Sequence, residues 1–245
     1  MNFISDYCNL DKNRIHFLDS KPESNPLMTP LLICPGLSET AEEYADLLTQ
    51  LLPRRVVVLS FRGRGKSDSP LRGYDLIDHI QDIEAIVSHL SLESFNLFAY
   101  SRGVSFALGY MYNNPNKIKK VILQDYPPEH KQMSTEWADD YIHNYLIPFK
   151  RTGNISEIAV NGIARDATQI PFNEMITKPV LILRGMLEGT LITEEDVQKY
   201  KELIEDCTVI EFLESGHDIR SSESEKQLEV IQAFLNEAGE KIEQR

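Results

Sequence analysis

Ser101 stands in the run Ala99-Tyr100-Ser101-Arg102-Gly103, between the apolar segment FNLFAY (Phe95 to Tyr100) and the periodic segment VSFALGYMY. That order predicts a strand, a sharp turn and a helix, a context that lifts the turn's central side chain above the end of a sheet. A serine hydroxyl is a poor nucleophile at neutral pH, so it needs such exposure, a base for its proton and donors for the oxyanion that develops at an attacked carbonyl. Ala99 and Gly103, two positions before and two after the serine, are small enough to let strand and helix approach closely. The backbone N–H of Arg102 falls at the helix N-terminus, where negative charge is favoured, and is a candidate oxyanion donor. Together these residues point to acyl transfer through a covalent serine intermediate.

Other chemistries find little footing. Gly65-Lys66-Ser67 resembles the end of a phosphate-binding loop, but the glycine required five residues before Gly65 is Ser60, and no helix follows to aim the amides. His-Glu-x-x-His, Cys-x-x-Cys and Asp-rich calcium loops do not occur, so neither a metal nor another cofactor is expected. Cys8, Cys34 and Cys207 are odd in number and scattered, which reads as reduced thiols. The 25 Lys and Arg against 38 Asp and Glu give a net charge of −13, which argues against nucleic acid and an anionic membrane surface as partners. A small-molecule substrate is the partner expected, and the oligomeric state stays open. No apolar run approaches the ~18 residues that span a bilayer. The first residues, MNFISDYCNLDKNR, lack a basic region followed by an apolar run, so a cytoplasmic protein is expected.

Positioning such a serine requires a sheet, and the chain supplies the runs for one. LLIC (Leu31 to Cys34), VVVLS (Val56 to Ser60), FNLFAY, KVILQD (Lys120 to Asp125), VLILRG (Val180 to Gly185) and TVIEFL (Thr208 to Leu213) are apolar almost throughout, as strands covered on both faces are. Helical periodicity separates them at roughly Thr40 to Leu52, Tyr74 to Leu90, Arg102 to Asn113, Glu194 to Glu205 and Ser222 to Ala238. The β-α-β-α order predicts a single α/β domain over residues 1–245 with a mostly parallel, doubly wound sheet. Ile15 to Leu18 and part of Phe3 to Cys8 read as an antiparallel pair at one edge. The interval from Tyr126 to Lys178 is far longer than a crossover helix needs, so an insertion over about 127–177 is expected. It holds Trp137, Tyr141, Tyr145 and Phe149 at spacings of four, a stripe on one helical face. At the carboxyl end of a parallel sheet, where ligands bind in such folds, that stripe is expected to roof a pocket as a lid.

With Ser101 in its turn, the sequence resembles the α/β-hydrolase superfamily, whose nucleophile elbow is Gly-x-Ser-x-Gly, and the resemblance covers nearly the whole chain. Ala99 replaces the first glycine, and Val104 sits where many members have another. CPGLSET (Cys34 to Thr40) occupies the place of the family's His-Gly-x segment, which implies that Leu37 N–H is the second oxyanion donor. FRGRGKSDSP (Phe61 to Pro70) looks like the family's Arg-Gly-x-Gly-x-Ser-Asp loop, structural more than catalytic. The family's chain order of serine, acid and histidine selects His217 from six histidines, because it follows the last strand in Glu214-Ser215-Gly216-His217 and resembles the family's Gly-His turn. In the family a strand ending in glycine is followed three residues later by the acid, and Gly185 plus three is Glu188. Glu188 is therefore the expected acid, with Asp125, a site some members use, as the alternative. Arg102 is unusual beside a nucleophile. Its side chain is expected to form an ion pair, with Asp125 for instance, rather than to recognise a substrate carboxylate or phosphate.

The resemblance implies a serine hydrolase that cleaves small-molecule esters through an acyl-enzyme. The same three side chains also serve thioester or carbon–carbon bond hydrolysis, perhydrolysis or a lyase step, and a ligand sensor on a hydrolase scaffold is the non-catalytic alternative.

Overall fold

The computed structural model describes residues 3–236. The six apolar runs become the parallel strands of one sheet: β3 (Leu31–Cys34), β4 (Val56–Leu59), β5 (Phe95–Tyr100), β6 (Ile118–Gln124), β9 (Val180–Gly185) and β10 (Cys207–Phe212). The hairpin of β1 (Ile4–Leu10) and β2 (Asn13–Asp19) adds two antiparallel strands at one edge, giving the order β1-β2-β4-β3-β5-β6-β9-β10. Helices α1 (Ala45–Gln50), α2 (Leu76–His89), α3 (Gly103–Asn113), α6 (Glu194–Leu203), α7 (Ile219–Ser222) and α8 (Ser224–Asn236) cover both faces.

The continuous apolar character of the strands follows from that double cover, because alternate side chains enter different layers. In β3, Leu32 and Cys34 belong to the core layer that holds Ile80 and Ile83 of α2 and Phe106 of α3, and that extends to Tyr200 of α6. Leu31 and Ile33 pack on the other side with Leu48 of α1 and Ile231 and Leu235 of α8. Helix starts are marked by side chains that take orphan N–H groups: Asp75 with Asp78 closes a capping box on α2, and Thr193 with Asp196 does so on α6.

Two helices differ from expectation. The Thr40 to Leu52 segment opens as a tight 3-10 turn, Ala41–Tyr44, before α1. The final helix starts at Ser224 behind an extra short helix, α7, and its expected end at Ala238 lies outside the described residues.

The interval between the neighbouring strands β6 and β9 holds the ribbon β7 (Glu129–His130) with β8 (Ile170–Pro171), then α4 (Thr135–Asp140), a π-helical turn (Tyr141–Leu146) and α5 (Glu157–Asp166). Ala138, Ile142, Leu146, Val160 and Ile163 give this insertion its own small core, which closes on Tyr74 of the body. Polar bonds clamp it down. Arg151 Nη2 donates to Ser38 O at 2.7 Å and to Glu43 Oε1 at 2.9 Å, and Asn154 Nδ2 donates to Glu43 Oε2 at 2.8 Å. Among the described residues no helix is long and apolar enough to cross a membrane.

Candidate active site

Ser101 sits between the end of β5 and the start of α3 with φ of +52°, in the left-handed region that only an over-determined turn imposes on a side-chain-bearing residue. Gly103 makes the turn possible, since a Cβ there would lie 2.4 Å from the carbonyl oxygens of both Cys34 and Pro35. The turn is pinned by Ser101 N donating to Gln124 O at 2.9 Å and Val104 N donating to Ser101 O at 2.8 Å.

His217 arrives from the loop after β10. Its Nε2 stands 3.0 Å from Ser101 Oγ, and its ring stacks on Tyr100 at 4.8 Å between centroids. That loop is clasped to the one after β9 by Met186 N and Leu187 N, which donate to Ser215 O at 2.8 and 2.9 Å. Gly185 and Gly216 allow the clasp: a Cβ on Gly185 would lie 2.0 Å from Gly216 O, and one on Gly216 would lie 2.4 Å from Glu188 O.

The carboxylate on the imidazole is Asp125, not Glu188. Asp125 Oδ2 lies 2.6 Å from His217 Nδ1, and the side chain is fully buried. Glu188 is exposed at the turn, and only its backbone approaches the histidine loop. The physical reason lies one turn further along. The β9 loop folds back over the end of β6, so that Thr190 Oγ1 donates to Asp125 Oδ1 and Leu191 N donates to Asp125 Oδ2 at 3.0 Å. The segment expected to carry the acid instead carries the donors that hold it.

The expected oxyanion donors meet at the same point. Leu37 and Arg102 line one cavity with Ser101 and His217, and neither backbone N–H finds a protein acceptor among the described residues. Arg64 fixes the first donor's peptide from behind, with its Nε donating to Leu37 O at 3.0 Å. Arg64 is itself buried, and burial pulls its pKa down to about 10. Arg62, in the same loop, pairs with buried Asp82, Nη2 to Oδ1 at 2.7 Å. The Phe61 to Pro70 segment thus braces the site from outside, as its resemblance implied.

The cavity measures about 650 Å³, with Trp137, Tyr141 and Tyr145 among its walls. These three stack in series, 5.3 Å from Trp137 to Tyr141 and 5.0 Å from Tyr141 to Tyr145, and Phe149 continues the series at the exposed end. The stripe survives the change from α4 into the π-helical turn because both keep every fourth side chain on one face. Tyr141 OH donates to Ser38 Oγ at 2.8 Å, and burial raises its pKa to about 12, so it stays protonated and donating.

Arg102 does not pair with Asp125. Its Nη2 donates to Lys131 O at 2.9 Å, its guanidinium lies against the Tyr126 hydroxyl, and Nε and Nη1 make no well-formed hydrogen bond. Burial lowers its pKa below the usual arginine value. Glu39 was not singled out by sequence reasoning, yet its Oε2 accepts from Gly36 N at 2.9 Å and its Oε1 from Arg220 Nη2 at 2.8 Å, which stiffens the loop bearing Leu37. Its position three residues after Gly36 was the available signal. No cluster of three His, Cys, Asp or Glu side chains among the described residues is arranged to hold a metal.

Comparison with known proteins agrees with this architecture. The sequence profile of the alpha/beta hydrolase fold matches residues 29–154. A 2-(acetamidomethylene)succinate hydrolase from Mesorhizobium japonicum is 22% identical over 93% of this chain and 94% of its own. A soluble epoxide hydrolase from Corynebacterium sp. (strain C12) is 25% identical over 40% of this chain, a match that spans 35% of that protein's length. Among solved structures, an esterase from Exiguobacterium antarcticum superposes with a TM-score of 0.78 at 21% identity, covering 95% of this chain and 99% of that one.

Proposed function

The chain belongs to the α/β hydrolase fold family, and on that premise we propose that it is a serine hydrolase of small-molecule esters. Ser101 Oγ attacks the ester carbonyl carbon while His217 Nε2 takes the hydroxyl proton, and the carbonyl oxygen becomes an anion facing the N–H groups of Leu37 and Arg102. Asp125 holds the imidazole through Nδ1 and stabilises its charge while it carries the proton. His217 then gives the proton to the leaving alcohol as the carbon–oxygen bond breaks, which leaves an acyl group on Ser101. Water, deprotonated by His217, attacks that acyl carbon, and Ser101 leaves with the proton restored. The observation that carries this reading is the unbroken relay of 3.0 Å from Ser101 to His217 and 2.6 Å from His217 to Asp125.

The relatives' names include an esterase, an epoxide hydrolase and a succinate-derivative hydrolase. A serine at the elbow favours acyl transfer over the aspartate-nucleophile chemistry of epoxide opening. The insertion serves as the lid, its aromatic ladder lining the acyl path. A panel of p-nitrophenyl esters, acyl-CoA thioesters and diketones, run with the wild type and Ser101→Ala, tests the reading. Ester turnover that falls to background in Ser101→Ala is expected. Turnover of thioesters or diketones alone would move the reaction to the other classes, and no turnover by folded protein would contradict the proposal.

A further inference from the structure

Four cationic side chains belong to the residues lining the cavity, and three of them are matched by a carboxylate. Lys131 Nζ lies 3.4 Å from Glu129, Arg151 Nη2 2.9 Å from Glu43 and Arg220 Nη2 2.8 Å from Glu39. Arg102 differs. Among the described residues no carboxylate lies within ion-pair distance of it, and Asp125 is already occupied by Thr190, Leu191 and His217. Arg102 is 1% exposed, with one N–H on Lys131 O and with Nε and Nη1 in no well-formed hydrogen bond.

A buried guanidinium whose remaining donors face only the Tyr126 hydroxyl, without a well-formed hydrogen bond, is a costly arrangement unless an anion completes it, and the planar fork matches a carboxylate with two parallel hydrogen bonds. The neighbours fit that occupant. Tyr126 and Lys131 touch the guanidinium, both belong to the cavity wall, and Met133 and Trp137 continue that wall. Arg102 also follows Ser101 directly in the chain, and both residues line the same cavity.

Resting on the serine-hydrolase reading, we propose that Arg102 is a specificity-determining residue that selects substrates carrying a carboxylate near the scissile ester. The guanidinium takes the carboxylate as the substrate enters, while the Arg102 backbone N–H faces the developing oxyanion. One residue thereby ties recognition to the attack step.

The test compares kcat/KM for two matched pairs: 4-nitrophenyl pentanoate against 4-nitrophenyl hydrogen glutarate, and phenyl acetate against 4-carboxyphenyl acetate. The first pair places the carboxylate on the acyl side and the second on the leaving group. In one arm the carboxylate ester is expected to be favoured by roughly tenfold to a hundredfold, the range for a hydrogen bond to a charged group. Arg102→Met should bring that ratio close to one, and Arg102→Lys should keep part of it. Neutral and charged esters cleaved alike in both arms, or a preference that survives in Arg102→Met, would overturn the proposal. Should none of the four esters be cleaved, the serine-hydrolase reading fails by itself. The subsite is then read from the thermal midpoint at millimolar glutarate, where a rise in the wild type that Arg102→Met and Arg102→Lys lose or weaken supports it and no rise overturns it.

Discussion

The Asp125 carboxylate is held by three donors, from Thr190, Leu191 and His217, inside a fully buried pocket. A group held so firmly fixes the tautomer and the direction of the imidazole, and this is its chemical use. Asp125→Asn should therefore lower kcat by about 10⁴-fold with the fold intact, the scale seen when such an acid loses its charge. Glu188→Gln, on an exposed side chain, should leave kcat within about twofold. Steady-state ester kinetics on both variants measure the contrast, and a large loss in Glu188→Gln would return the role to that residue. Ser101 and His217 were legible because each lies in a local turn whose small neighbours, Gly103 and Gly216, announce the close approach. The acid was not, because spacing from Gly185 counts residues along the chain, whereas the loop after β9 bends so that residues 190 and 191 reach the site as donors and residue 188 stays in solvent. The aspartate ending the KVILQD run had the same relation to its strand that Ser101 has to FNLFAY, and only tertiary packing separates the two acids.

At the scale of elements, the strand runs were read well because burial on both faces leaves little room for polar residues, Asn96 and Gln124 being buried exceptions. The interior of the insertion was not, since its short helices are set by contacts with the body more than by their own periodicity. The clamp through Ser38 and Glu43 ties the insertion to the body at Arg151 and Asn154. Arg151→Ala should speed amide hydrogen exchange in residues 135–146 and leave β5 unchanged, and equal protection in both proteins would show that the aromatic ladder alone holds the insertion. Gly103 governs a different junction. Gly103→Ala drives a methyl into the carbonyls of Cys34 and Pro35, so stability should fall by about 1–3 kcal/mol, the usual cost of overpacking. A thermal midpoint lower by about 2–4 °C per kcal/mol would report it, and an unchanged midpoint would mean that the Cys34–Pro35 peptides yield.

Over the whole molecule, three buried histidines set the response to acid. Burial is the leading cause in each: His16 is lowered, His79 is lowered well below its ordinary value, and His130 is lowered to about 4, with nearby Arg102 adding to burial and Asp75 opposing it. Above the ordinary value of about 6.5 these rings are neutral in both folded and unfolded chains, so they contribute nothing to the pH dependence there. Below it the unfolded chain binds protons that the folded one refuses, so stability falls as pH falls, and for His130 the loss is complete near about 4. For His130 the refused proton costs about 2 kcal/mol between pH 6.5 and 5, His79 and His16 act in the same direction, and urea midpoints across that range should drop accordingly. A flat profile would mean that these rings accept protons in the fold. The central sheet brings residues 101, 125 and 217 to one edge from separate crossovers, and labelling by a fluorophosphonate reads that convergence directly. Mass spectrometry should find a single adduct on Ser101 in the native protein, formed far more slowly in His217→Ala and absent after unfolding. Native protein that stays unlabelled, or carries the adduct on another residue, would contradict the assignment of Ser101 as nucleophile.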